Sequence, residues 1–151
     1  MKSKTFISLF AFLTLFVMAT YFLISPSYEK SIKAKYYFET GKYTEAYSLA
    51  KEAFGLDVYN RMAATIMAQS KTSLRYVTFN KNAKKYILDI DDIATHEDIS
   101  QADKAKIRLI CEIMTNSYIK LAPSVVTDKE LVQQSAAYNS KFEKLLEKVT
   151  R

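Results

Sequence analysis

Two glycines and two prolines are the only strong breakers in 151 residues. A β-sandwich or barrel turns about every 8–12 residues and cannot be assembled from so few turn formers. Long helices joined by short connections remain. Apolar residues make up 49% of the chain and charged ones 25%, enough to bury a core and incompatible with disorder. The sequence therefore reads as all-α.

Thr5 to Ile24 reads TFISLFAFLTLFVMATYFLI, 20 residues without a charge. At the helical rise this is about 30 Å, the hydrocarbon thickness of a bilayer. Lys2 and Lys4 form a basic flank over residues 1–4. The run outlasts a secretory h-region and no clean A-x-A site follows, so an uncleaved transmembrane helix at 5–24 is expected, with the bilayer as its partner. A short basic N-terminus ahead of the first apolar segment stays cytoplasmic, although Lys30, Lys33 and Lys35 follow on the other side. The expected placement is single-pass in the inner (cytoplasmic) membrane, with the C-terminal domain periplasmic. Ser25-Pro26-Ser27 then breaks the helix at 25–27.

Periodicity predicts about six helices over 28–151. The first runs from Tyr28 to Thr40 and stops at Gly41; the second, from Thr44 to Phe54, meets Gly55. A third fits Val58–Leu74 and a fourth Thr78–Ala94. Ser100 with Asp103 marks the start of a fifth, whose apolar residues cover several faces and predict a central, buried helix. Thr127-Asp128-Lys129-Glu130 reads as a capping box opening the last helix. That helix carries Leu131, Ser135, Tyr138, Phe142, Leu145 and Val149 at heptad-like spacing, a stripe over 131–149 for intradomain packing or, less favoured, a homodimer.

Net charge is +6; removing Lys2 and Lys4 leaves about +4, interspersed with acids. A basic–aromatic reading of Lys71, Arg75, Lys81, Lys84 and Lys85 with Tyr76, Phe79 and Tyr86 fails on spacing, because the aromatics follow the buried stripe and the lysines the wet face. Nucleic acid is not an expected partner. One cysteine, Cys111, and one histidine, His96, exclude a disulfide within the chain and multi-His or Cys-based metal sites. Asp89, Asp91, Asp92, His96, Glu97 and Asp98 lack the glycine and distal glutamate of an EF-hand. Cys111 sits among Leu109, Ile110, Ile113 and Met114 and reads as a buried structural thiol. No glycine-rich phosphate loop exists. No catalytic residue, cofactor or metal is expected.

Gly41-Lys42-Tyr43-Thr44-Glu45-Ala46, with Ala34, Tyr37, Ala50, Ala53 and Leu56-Asp57, resembles one tetratricopeptide repeat over about residues 27–60. Lys30, Lys33 and Val58 depart from the family's Trp, Leu and Pro, and no second Gly-x-Tyr turn occurs near Arg75. The resemblance implies a short antiparallel helical stack whose concave groove takes a peptide or helix. Carried over by the match, Tyr28, Lys35, Phe38 and Glu39 face that groove, and Met62, Thr65 and Gln69 join them by looser analogy. The competing reading makes Phe38 and Met62 ordinary core. The expected function is a non-catalytic, membrane-anchored, protein-binding adaptor or chaperone-like assembly and stability factor for a larger bacterial envelope complex, such as a flagellar motor or secretion machine. The alternative is a structural subunit held by its membrane helix, with Thr5, Ser8, Thr14, Ala19 and Thr20 supporting helix contacts.

Overall fold

The computed structural model describes residues 2–96 and 98–150, and for 2–5 and 21–24 the backbone alone. The described residues form helices and connections without strands: α1 (Lys2–Ile24), α2 (Pro26–Glu39), α3 (Tyr43–Leu56), α4 (Arg61–Ala94), α5 (Gln101–Ile119) and α6 (Lys129–Thr150). They divide into two compact units, 1–70 and 71–151.

The transmembrane helix expected at 5–24 is not supported: among the described residues, no helix is long and apolar enough to cross a membrane. The side chains described in α1 run from Phe6 to Thr20. Thr5 and residues 21–24 of the expected span lie outside the described side chains. The single-pass inner-membrane placement with a periplasmic domain is not supported either. The Thr14 and Thr20 hydroxyls, offered for helix contacts, return to their own helix, donating to the carbonyls of Ala11 and Val17 at 2.9 Å.

In the first unit, Pro26 stands in the first turn of α2 behind an extended Ser25, where its missing N–H costs nothing. The α2–α3 turn closes on Gly41 (φ +77°): the Gly41 N–H donates to the Phe38 carbonyl at 3.1 Å and the Lys42 N–H to Tyr37 at 2.9 Å. This Schellman closure satisfies two terminal carbonyls and uses the left-handed backbone that glycine adopts most readily. Gly55, expected as a second helix stop, lies inside α3, which continues to Leu56. Ala34, Ala46 and Ala50 are fully buried and cluster with Ile66 from the start of α4. Alanine on both sides leaves little between the backbones, so the unit is held by close approach rather than by large side chains.

Asn60 ties α2, α3 and the start of α4 together. Its Oδ1 accepts the Ala63 N–H at 3.1 Å, capping α4, while its Nδ2 donates to the Ser27 and Ser31 hydroxyls at 2.8 and 3.2 Å. Ser27 in turn donates to the Ala53 carbonyl of α3 at 2.9 Å. The Asn60 side chain is wholly buried, so truncation removes a cap and strands its partners. Asn60→Ala is expected to cost about 2 kcal/mol, read as a lowered urea midpoint of the full chain.

The helices expected at 58–74 and 78–94 are one continuous α4. Ser73-Leu74-Arg75-Tyr76-Val77 contains neither Gly nor Pro, and nothing in it breaks a helix.

In the second unit, Ser100 is the expected N-cap of α5, and with Asp103 it closes a reciprocal capping box. The Ser100 hydroxyl accepts the Asp103 N–H at 3.1 Å, and the Asp103 carboxylate accepts the Ser100 N–H at 3.2 Å. The Ser100 hydroxyl and backbone N–H hold the Asp103 carboxyl below its ordinary range. Before α6 the cap differs from expectation. Asp128 accepts the Glu130 N–H at 2.8 Å, while Thr127 turns back to accept the Ser124 N–H at 2.8 Å. An acidic Asx turn at the helix start serves the same orphan donors and favours the positive end of the dipole.

Phe79, Ala83, Ile90 and Ile93 of α4 pack with Ile107, Ile110, Cys111 and Met114 of α5 and with Phe142 of α6. Tyr138, Leu145 and Val149 pack against this core, so the α6 stripe is spent within the unit. The Ser135 hydroxyl donates to Asn80 Oδ1 at 2.6 Å, and Asn80 Nδ2 donates to the Leu131 carbonyl at 3.3 Å, fixing α4 against α6. The central, all-round burial expected of α5 is not observed: Leu109 and Ile119 are exposed and Ile113 is 47% exposed. Packing against α4 and α6 covers only part of its circumference, and the surplus apolar residues lie outside.

Candidate functional site

The expected groove residues fall in the first unit. Lys35 and Glu39 are exposed and pair with each other at 3.7 Å, one turn apart on α2. Phe38 is half-buried, packs against the alanine cluster, and stacks edge-on to Tyr43 with ring centroids 5.5 Å apart. Tyr28 and Gln69 are half-buried; Met62 and Thr65 are exposed on α4. Phe38 thus contributes to the core whatever else it does.

Among the described residues no three acidic, His or Cys side chains converge on a point that would hold a metal ion. Glu97, from the acidic cluster near His96, lies outside the described residues. Cys111 is fully buried, and burial, with a smaller contribution from Glu112, pushes its thiol up to about 11. Its neutral form is therefore favoured in the folded state. The stabilisation this brings is complete below about pH 9, where an exposed thiol begins to ionise, and is lost as pH rises from there through about 11. Wild type is expected to lose stability faster than Cys111→Ala across that window, measured by urea unfolding at successive pH values. At pH 8 the native thiol should resist alkylation by iodoacetamide.

A larger concave feature lies in the second unit. Between α4 and α5 runs an open groove of about 490 Å³. Phe79 and Met114, both buried, form its base; half-buried Leu74, Tyr86 and Leu121, with the exposed Ile113, supply apolar walls. Phe79 is fixed by Tyr118, ring centroids 5.8 Å apart. Thr78, Asn82 and Ser117 add polar groups, and Lys71 and Arg75 mark one end. From Lys71 to Tyr86 the groove follows α4 for about 22 Å.

An apolar base with a few polar groups and charge at one end suits binding rather than reaction. The groove's lining holds no His, Cys, Asp or Glu; its titratable groups are Lys71, Arg75 and Tyr86. A smaller hollow of about 310 Å³ between α4 and α6 sets Lys141, Lys144 and Lys148 beside Asp91, over Ile87 and Leu145. Its apolar base is slighter.

Sequence reading met part of the large groove. Lys71, Arg75, Phe79 and Tyr86 stood together as a basic–aromatic set, and the aromatics do turn inward while the cations stay wet. The missed signal was the surplus of apolar residues on and just past α5: Ile113 is 47% exposed, Leu121 beyond the helix end packs on the edge of the core, and both line the groove. Compared with family models, with curated proteins and with solved structures, the chain matches none.

Proposed function

We propose that the chain is a non-catalytic helical adaptor that holds a segment of a partner protein in the groove between α4 and α5. The observation that carries this reading is the groove itself: about 490 Å³, about 22 Å long, apolar at its base and without a carboxylate, imidazole or thiol in its lining. Its length suits an elongated occupant, a helix of several turns or a short extended peptide, more than a compact metabolite. The tetratricopeptide resemblance of residues 27–60 supports the same class, since that family binds peptides and helices.

A photo-crosslinking residue placed at Asn82, in the groove, is expected to trap one defined protein in the native cell. The same residue at exposed Lys51 on α3 should not. No adduct at Asn82, or the same adduct at both positions, would contradict the reading.

A further inference from the structure

We infer that the α4–α5 groove selects a partner segment carrying a carboxylate about one helical turn from a bulky apolar side chain; this rests on the adaptor reading. Of the groove's eleven lining residues two are cations and none is acidic. Lys71 and Arg75 stand four residues apart on one face of α4, so their charges flank the same end of the groove. Neither is engaged in an ion pair among the described residues.

An uncompensated cation pair beside an apolar trough is a polarised surface. A neutral or basic segment would leave that charge unmatched, and a basic one would add like-charge repulsion. A segment with Asp or Glu at one end and Leu, Ile or Phe following it satisfies both halves. Arg75 accepts a carboxylate through two parallel N–H donors, and Lys71 adds a point charge. Leu74, Ile113 and Leu121 receive the apolar side chains, over a base of buried Phe79 and Met114. The net charge of +6 favours encounter with acidic segments over basic ones.

The test is selection of a displayed library of random 12-residue peptides on the full chain. Enriched peptides are then measured against wild type, Lys71→Glu/Arg75→Glu and Asn82→Trp. Both variants alter exposed positions, and circular dichroism checks that they keep their helix content.

The expected result is peptides that combine Asp or Glu with Leu, Ile or Phe and bind at least about tenfold more weakly to each variant. Weakening should also follow added salt. Peptides that lose binding to Asn82→Trp yet lack an acid, or that tolerate the charge reversal, would overturn this inference and leave the adaptor reading standing. If no peptide depends on Asn82, or if hexadecanoate alone occupies the groove, both fall.

Discussion

Phe142→Ala is expected to destabilise the second unit by about 3–5 kcal/mol, the largest effect of any single truncation considered. Phe142 is wholly buried where α6 meets α4 and α5, in one cluster with Phe79, Ile107, Ile110 and Met114. Removing the ring forfeits its transfer free energy and leaves a cavity. Three helices fixed by separate contacts, the Asn80–Ser135 bond among them, cannot collapse into it. Urea unfolding followed by circular dichroism gives the number. Phe142→Leu, which keeps most of the volume, should recover the greater part of the loss. A loss below about 1 kcal/mol for Phe142→Ala would mean that α6 is not seated as described.

Ala46→Leu is expected to cost about 3 kcal/mol in the first unit, by the opposite mechanism. Ala46 faces Ala34, Ala50 and Ile66 and has no exposed surface. Three added carbons have no space unless α2 and α3 separate, which would strain the Schellman closure at Gly41. The exposed neighbour Ser48 provides the control: Ser48→Leu adds a similar side chain on the wet face and should change stability by less than about 0.5 kcal/mol. Equal effects at the two positions would remove the argument that alanine is there for close packing.

The all-α class was legible because scarcity of Gly and Pro leaves few alternatives, and because apolar residues recur at helical spacing over 78–94 and along α6. Gly41 was legible for the same reason: a lone glycine between two periodic runs marks a left-handed turn, and its φ is +77°. Gly55 shows the limit of that logic, since glycine is permitted rather than required to end a helix and α3 passes through it. The division of α4 into two helices came from reading the apolar spacing of 58–74 and 78–94 as separate runs, while the local sequence contained no breaker. The charge-free run in α1 was read by length and apolarity alone, and that measure does not hold over its described residues.

The groove was harder to read because it depends on what α4 and α5 leave uncovered between them. Ile113 and Leu121 carry the helical spacing of core residues, and nothing in the pattern distinguishes a side chain packed under a neighbour from one packed at the edge. Lys71 and Arg75 gain meaning only once they stand beside Phe79 and Leu121 with no acid among the lining residues.

The central claim, that the α4–α5 groove is the binding surface, is tested most directly by methyl NMR of the full chain labelled at its methionines. Met114 lies at the base of the groove, and Met62 lies among the residues of the first unit carried over from the repeat resemblance. On addition of a selected acidic–apolar peptide, the Met114 methyl resonance is predicted to shift and saturate with the binding curve while Met62 stays in place. A shift at Met62 with Met114 unmoved would transfer binding to the first unit and contradict the account.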